Sequence, residues 1–329
     1  MIKNGTLLLI NKWLLKINLM ASYGDRNKRG FKEDRIFAWE NRGDSSLPLM
    51  EFLINMRPDS KRGDIKKWMK YGHLKLNGTV TKAFDAEVKP GAVVEFNSTR
   101  PFPEFHHHRI EIVYEDDDVL VINKGYGLLS VPTLSHKKED NAYEILRNYV
   151  KGVNPRNKLF IVHRLDRDTS GLMMFAKSEE AQNVLRHNWN NIILERLYVA
   201  VLEGNLEQDK GFVKSRLAEN SQFVVYATDN PDEGRIAVTH YEVVGRGNGF
   251  TLAQFSLDTG RKNQIRVHAK QLGHPIAGDK KYGATKSPIH RLALHARTLR
   301  FAHPVTRKDM NFETPIPPKF AAAIRRQMK

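Results

Sequence analysis

From residue 110 onward the sequence is a succession of short apolar runs separated by turn residues, and this pattern restricts the fold more than any other feature. Residues 110–114 and 119–124 are rich in Ile and Val and flank an acidic turn, as two paired strands would. Isolated helices follow, such as one that Ser178 would cap. Because strands and helices do not alternate regularly, we predict an α+β fold with a mixed, mainly antiparallel central sheet over residues 110–329.

A smaller unit precedes this region, at residues 47–98. Two apolar patterns with helical spacing begin near Leu49 and Ile65, and Asn77-Gly78 between alternating residues predicts a type I′ hairpin. The second helix and the hairpin carry a cluster of cations: Lys61, Arg62, Lys66, Lys67, Lys70 and Lys75. We predict a small α/β domain whose cations bind RNA phosphates, with a merely solvated charged face as the alternative.

The charge balance favours a polyanionic partner. The chain of 329 residues has 53 Lys and Arg against 37 Asp and Glu, a formal net charge of +16. Such an excess is typical of nucleic-acid binding, and an anionic membrane is the second choice. The absence of cysteine excludes disulfide scaffolds, thiol nucleophiles and Cys-ligated metals, and it favours a cytoplasmic protein.

The first 46 residues predict no membrane span or secretory signal. The apolar patch at residues 7–15 is interrupted by Lys12, whereas a span needs about 20 apolar residues and a signal needs a continuous run. An extra amphipathic helix, or a start codon assigned too early with Met20 as the functional start, are the alternatives. Gly, Asp, Asn, Lys and Arg dominate residues 21–46, so we predict that residues 1–46 form a flexible basic extension.

Residues 99–109 predict a linker with no metal site. The segment contains Pro101, Pro103 and the consecutive His106-His107-His108. Neighbouring side chains of an extended backbone point in opposite directions, so three adjacent histidines do not converge on one ion. We therefore expect no bound metal.

The most informative stretch is residues 160–176, where two apolar strands bracket a charged loop. Asp166 and Asp168 lie among Arg164 and Arg167 in this loop, and the arginines would keep either carboxylate ionised. A loop held between buried strands presents side chains rigidly, as catalytic sites require. A turn held together only by ion pairs is the alternative reading.

A second polar cluster lies at residues 257–269. If this segment were a strand, Gln264, Arg266 and His268 would share one face; if it were a helix, Arg266 and Lys262 would do so. Arg266 is flanked by apolar residues, so we expect partial burial and a carboxylate partner, for which Asp166 is the natural candidate. No phosphate-binding Gly-Lys-Ser/Thr loop and no Gly-x-Ser-x-Gly motif occur.

Four separated motifs resemble those of the RluA-type RNA pseudouridine synthases. They occupy residues 163–171, 260–268, 273–279 and 291–296, and the resemblance covers residues 110–315 in order. The unit at residues 47–98 resembles the RNA-binding module first described in small-subunit ribosomal protein four. This resemblance implies a pseudouridine synthase fold, and an enzyme that flips a uridine out of structured RNA and isomerises it without a cofactor.

The resemblance also implies roles for individual residues. It makes Asp166 the essential nucleophile or base, Arg266 its partner, Tyr198 the ring against the target base, and Arg164 the residue that takes the place of the flipped uridine. Further substrate contacts are expected from the surrounding motif residues: His163, Thr169, Arg261, Gln264 and His268. The chain departs from the family at Asn263, where a His is common, at Gly125, where a Pro is usual, and in lacking a Lys two residues before Tyr198.

Several points stay open. Asp166 could add to the uracil ring, attack the anomeric carbon or remove a sugar proton. The accessory domain favours large-subunit ribosomal RNA as the substrate, and transfer RNA is the alternative. A non-catalytic RNA-binding or ribosome-assembly protein, and a glycosidase that uses two carboxylates, are competing readings. We expect a monomer.

Overall fold

The computed structural model describes residues 35–102, 104–133 and 139–325. The apolar patch at residues 7–15 and most of the predicted flexible extension lie outside these residues. Among the described residues, no helix is both long and apolar enough to cross a membrane.

The small domain contains two helices and six short strands. The elements are β1 Ile36–Glu40, β2 Leu47–Pro48, α1 Leu49–Met56, α2 Arg62–Lys70, β3 Leu74–Leu76, β4 Thr79–Val80, β5 Glu87–Val88 and β6 Val93–Asn97. Strands β1, β6, β3 and β4 form one antiparallel sheet in that order, and β2 pairs with β5. The apolar helix faces, with Phe52 and Ile65, pack on Phe96 of the sheet. The β3–β4 turn has Asn77 at φ 50° and Gly78 at φ 81°, the geometry that a type I′ hairpin needs.

The small domain begins earlier than Leu47, so the predicted end of the flexible extension at residue 46 is wrong. Strand β1 pairs with β6 from Ile36↔Asn97 to Glu40↔Val93. Its aromatic side chains explain the order: Phe37 stacks on Trp39, and both rings lie near Phe96. The prediction was wrong because residues 41–46 are polar, so the whole segment was taken as unable to order itself. Strand β1, just before them, nevertheless packs Trp39 against the core.

The larger domain comprises the remaining elements of the described chain. Its strands are β7 Ile110–Glu115, β8 Val119–Lys124, β9 Phe160–Ile161, β10 Ser170–Ala176, β11 Ile193–Glu203, β12 Lys210–Glu219, β13 Val225–Thr228, β14 Arg235–Gly247, β15 Phe250–Leu257, β16 Leu294–Ala302 and β17 Asp309–Glu313. Its helices are α3 Ala142–Val153, α4 Glu179–Ile192, α5 Gln264–Gln271 and α6 Pro318–Ile324, with a 3-10 turn at Lys280–Tyr282.

These strands form one sheet in the order β13-β12-β14-β15-β11-β16-β10-β8-β7, with β17 beside β16 and β9 beside β10. All neighbours are antiparallel except β10 and β16, so the predicted mixed, mainly antiparallel sheet is confirmed. The parallel pair is close: a Cβ on Gly171 would lie 2.1 Å from the carbonyl oxygen of Ala296. Only glycine fits at this position, which is where the charged loop enters the sheet.

Helices cover both faces of the sheet beside that loop. Leu146 of α3 packs in one core with Leu120 and Phe175, whereas Leu185 of α4 packs in another with Val121 and Met174. Strands β8 and β10 are therefore buried on both faces. The loop between β9 and β10 is anchored at the centre of the domain, where backbone motion is most restricted.

Candidate active site

The β9–β10 loop is fixed by side chains beneath it. Ser130 donates a hydrogen bond to the carbonyl of Leu165 at 2.6 Å and accepts one from its N–H at 3.1 Å. Lys124 is fully buried and donates to the carbonyls of Gly125, Leu128 and Arg167. Burial lowers the pKa of Lys124, while Asp168 and Asp166 oppose that shift. These contacts fix the backbone on both sides of Asp166, at Leu165 and Arg167.

Asp166 lines a cavity of about 210 Å³. Its other lining residues are Arg164, Leu165, Thr169, Tyr198, Leu257, Gly260, Arg261, Lys262, Asn263, Gln264, Ile265, Arg266 and Leu294. The cavity is smaller than the roughly 300–1,000 Å³ of typical small-molecule pockets, so it suits one planar base better than an extended ligand. Seven residues predicted from the sequence thus meet here: Arg164, Asp166, Thr169, Tyr198, Arg261, Gln264 and Arg266.

Arg266 contacts Asp166, as predicted, but its main partner is Asp279. The guanidinium donates from Nε and Nη2 to the two oxygens of Asp279, both at 2.7 Å, whereas Nη1 lies 3.5 Å from Oδ2 of Asp166. The Asp279 side chain is 1% exposed and that of Asp166 is 23% exposed. Burial opposes the charge, but Asp279 and Asp166 more than offset it and raise the pKa of Arg266. Asp279 therefore anchors the guanidinium, which then presents its remaining nitrogen to Asp166.

Asn263 is a second donor to Asp166, and it was not among the predicted site residues. One end of its amide lies 2.9 Å from the hydroxyl of Tyr282 and the other end lies 2.6 Å from Oδ2 of Asp166. A carboxylate only accepts hydrogen bonds, so the amide nitrogen faces Asp166 and the amide oxygen accepts from Tyr282. Burial raises the pKa of Tyr282, which keeps this hydroxyl protonated. The Tyr282 ring also lies 4.9 Å from the Arg266 guanidinium.

Two predicted substrate contacts, His163 and His268, lie outside the cavity. Nε2 of His163 accepts a hydrogen bond from the Met174 N–H at 2.9 Å. His268 is 0% exposed and bonds Thr239 and Ser215. The segment that contains it is helical, and residues two apart on a helix point about 200° apart, so His268 faces away from Arg266. The strand alternative was therefore wrong, and both histidines form hydrogen bonds with protein groups outside the cavity.

Gln264 lines the cavity without offering it a hydrogen bond. Its oxygen accepts from Thr259 Oγ1 and Arg261 N, and its nitrogen donates to Val238 O and Thr239 Oγ1. These four bonds use the full capacity of an amide. These bonds fix Gln264, the first residue of α5, against the sheet. Its role as a substrate contact stays a prediction.

Arg164, Tyr198 and Thr169 also line the cavity. Arg164 is exposed, and within the described part of the chain its guanidinium has no hydrogen-bond partner. Burial raises the pKa of Tyr198, so its hydroxyl stays neutral at physiological pH. Thr169 is 3% exposed and donates its N–H to the Asp166 carbonyl. An exposed cation, a half-buried ring and a carboxylate with two fixed donors thus surround one cavity.

The buried histidines make stability depend on pH. Burial lowers the pKa of His268 and His295 to about 4 and that of His163 to about 3. The unfolded chain takes up these protons below about pH 6.5 and the folded chain does not, so their contribution is complete above that pH and is lost as pH falls toward the folded pKa. We expect the free energy of unfolding to drop by at least about 2 kcal/mol from pH 7 to pH 5.

Urea denaturation at pH 7, 6 and 5 measures this slope. His268→Gln should flatten it, whereas His187→Asn, at an exposed position, should leave it unchanged. A free energy of unfolding that stays constant between pH 7 and 5 would contradict the burial of neutral histidines.

Variants at Asn263 test its hydrogen bond to Asp166. Asn263 has φ 53°, and Asp and His tolerate this left-handed conformation as well as Asn does. We expect Asn263→Asp to lower kcat about 10- to 100-fold, because it removes a charge-assisted hydrogen bond of ~1.5–3 kcal/mol and adds a like charge. Asn263→His should retain activity, since an imidazole N–H can replace the amide donor. Equal kcat values for Asn263→Asp and the parent would exclude this positioning role.

Comparisons with known proteins point to one family. Residues 118–271 match the RNA pseudouridylate synthase family. The chain is 36% identical over 282 residues to the uncharacterized RNA pseudouridine synthase YlyB of Bacillus subtilis, which covers 83% of this chain and 92% of that protein. It is 32% identical over 295 residues to ribosomal large subunit pseudouridine synthase D of Pasteurella multocida, which covers 84% of this chain and 90% of that protein.

Solved structures show the same fold. Human RNA pseudouridylate synthase domain containing 1 superposes with a TM-score of 0.53 at 23% identity, which covers 69% of this chain and 94% of that chain. Human RNA pseudouridylate synthase domain containing 4 gives 0.52 at 23% identity, with 64% and 90% covered. The sequence identity to YlyB and to synthase D extends over more than four fifths of the chain. The chain therefore belongs to the RluA-type RNA pseudouridine synthase family.

Proposed function

We propose that this protein isomerises selected uridines of large-subunit ribosomal RNA to pseudouridine, with Asp166 as the essential nucleophile or base. The observation that carries the proposal is the carboxylate of Asp166 in a base-sized cavity, 3.5 Å from Arg266 and 2.6 Å from the Asn263 amide. Relatives named as large-subunit pseudouridine synthases support the ribosomal substrate.

Each cavity residue has its own role in the proposed reaction. The target base must leave its stack, which costs a few kcal/mol. Arg164 and Tyr198 both line the cavity. In this proposal Arg164 fills the gap left in the RNA, and the Tyr198 ring packs against the flipped base. Arg266 and Asn263 keep the Asp166 carboxylate oriented while the base detaches from its sugar, turns and rejoins through a ring carbon. Donors fixed before the reaction stabilise charge with no reorganisation.

The small domain is proposed to bind the RNA backbone. On α2, Arg62, Lys66 and Lys70 are exposed and spaced by four residues, so they form one row. Lys61 is exposed at the start of the helix, and Lys67 lies 3.8 Å from Asp64. Lys75 is half-buried, with Nζ 4.8 Å from the Phe102 ring, so we assign it a smaller part in RNA binding than the helix row.

The α2 row should set much of the salt dependence of binding. Each phosphate contact contributes about 0.7–0.9 to the slope of log affinity against log salt concentration. We expect the triple variant Arg62→Ala, Lys66→Ala, Lys70→Ala to reduce this slope by about 2–3. The matched control replaces three exposed cations of the larger domain by alanine, Arg307, Lys308 and Lys319, and it should leave the slope unchanged. Filter binding over a salt series checks the prediction, and an unchanged slope in the α2 variant would remove the row from the RNA interface.

Pseudouridine mapping of total RNA, from cells with and without the gene, tests the substrate. We expect at least one site to disappear from large-subunit ribosomal RNA and to return when the parent gene is restored. Loss of sites from transfer RNA alone would overturn the proposed substrate and leave the enzyme class in place. We further propose that the enzyme acts in the cytoplasm as a monomer.

A further inference from the structure

A second, open groove lies beside the candidate active site. It has a volume of about 620 Å³, and it shares Arg261 and Lys262 with the cavity that holds Asp166. Its far wall comes from the hairpin of β12 and β13, with Tyr226 among the lining residues. Because the two share a wall, a nucleotide next to a uridine in the cavity would lie within reach of this hairpin.

Packing does not explain why a phenylalanine, Phe223, lies at the tip of that hairpin. Its side chain is 71% exposed, the highest value among the large exposed hydrophobic residues of the described chain. Lys262 Nζ lies 5.7 Å from the centre of its ring. An exposed ring gains little from the hydrophobic effect, so core stability does not account for a phenylalanine here.

The backbone of Phe223 is strained as well as exposed. Its φ is 59°, a left-handed value that costs an aromatic residue about 1–2 kcal/mol. The Asn220 side chain accepts hydrogen bonds from the N–H groups of Gln222 and Val224, and Lys281 donates to the Phe223 carbonyl at 3.1 Å. The loop is therefore held rigidly in a conformation that projects the ring outward.

The charges around the groove favour a nucleic-acid strand. Arg235, Arg261 and Lys262 line it. Two carboxylates also line it, and both have partners within the groove: Glu219 pairs with Lys262, and Glu233 accepts from the Tyr226 hydroxyl. Rigid aromatic rings beside cations form stacking platforms for unpaired bases, because every base offers a π face and every linkage a phosphate.

We propose that Phe223 stacks on an unpaired base next to the target uridine, and that Arg261 and Lys262 contact the adjoining phosphate. This proposal rests on the proposed function, since it takes RNA as the substrate. Flipping the uridine exposes the faces of its neighbours, and the Phe223 ring would cover one of them. Phe223 thereby contributes to substrate affinity and not to the chemical step.

Steady-state kinetics test the proposal with a large-subunit ribosomal RNA transcript that carries tritium at C5 of uridine. The tritium is released as C5 bonds to the sugar, so it reports turnover. We expect Phe223→Ala to raise KM about 5- to 100-fold, the range for loss of one stacked base, with kcat unchanged, because stacking acts equally before and during the reaction. Phe223→Trp should keep the parent KM. Phe212→Ala is the matched control, since Phe212 is 65% exposed and lies near the start of β12, at the opposite end of that strand from the Phe223 turn.

A glycine variant separates binding from folding. Phe223→Gly relieves the left-handed strain, so we expect its Tm to equal or exceed that of the parent while its KM rises as for alanine. A parent-like KM for Phe223→Ala in an active enzyme would overturn the platform. If the parent released no tritium, the proposed function would fail instead, and filter binding of the same transcript would then decide: weaker binding by Phe223→Ala supports the platform, and equal binding rejects it.

Discussion

Replacement of Asp166 by asparagine should abolish pseudouridine formation while RNA affinity stays close to that of the parent. The two side chains have nearly the same shape, so the packing around the loop is preserved. The amide, however, lacks the negative charge toward which Arg266 and Asn263 direct their donors, and it is a poor nucleophile and base. Tritium release from labelled RNA measures turnover, and filter binding measures affinity.

The matched control is Asp168→Asn, two residues along the same loop. Asp168 is exposed and does not line the cavity, so this variant should keep most of the parent activity. Turnover by Asp166→Asn above a few per cent of the parent would remove Asp166 from its assigned role. Loss of activity in both variants would point to the loop as a whole rather than to one carboxylate.

Replacement of Arg266 by alanine should lower both stability and activity. The variant leaves the Asp279 carboxylate, which is 1% exposed, without the two 2.7 Å hydrogen bonds that it accepts. Breaking a buried ion pair in this way costs about 3–5 kcal/mol. Activity falls for a different reason, because Asp166 loses one of its two donors. Urea denaturation and tritium release measure the two effects separately.

A double variant separates these effects. In Arg266→Met, Asp279→Leu both charges are removed together, and apolar replacements of buried pairs are often tolerated. We expect stability to recover most of the loss while turnover stays low. Parent-like unfolding of the Arg266→Ala single variant would show that the pair with Asp279 contributes little, contrary to its geometry.

The fold was predictable where local signals agree with one another. The Asn77-Gly78 turn, the apolar helix faces near Leu49 and Ile65 and the charged loop before Gly171 each carry a short-range signal, and each has the predicted form. Strand β1 was missed because its polar neighbours dominate the composition of that segment. Only the pairing with β6, a long-range event, gives Phe37 and Trp39 an apolar surface to cover.

The candidate site was predictable in its central residues and not in their supports. The resemblance placed Asp166, Arg266 and Tyr198 together, and they line one cavity. Asp279 was missed as the partner of Arg266 because a pairing between a helix and a distant loop leaves no local pattern. Tyr282 was missed for the same reason. Its partner Asn263 had been noted in the sequence only as a position where the family commonly has a His.

The segment at residues 264–271 shows how the choice between strand and helix changes the predicted site. Its polar residues alternate with apolar ones over a short stretch, which periodicity alone does not assign to strand or helix. As a strand, the segment would have turned His268 toward the substrate. As the helix α5, it directs Arg266 into the cavity and His268 toward Thr239 and Ser215.

The most direct test is the reaction itself, with purified protein and no added cofactor. An unmodified large-subunit ribosomal RNA transcript is incubated with the parent or with Asp166→Asn, and pseudouridine is then located along the RNA by chemical mapping. We expect the parent to convert one or a few defined uridines and Asp166→Asn to convert none. An unmodified transcript after incubation with the active parent, or equal conversion by both proteins, would contradict Asp166-dependent isomerisation of ribosomal uridines.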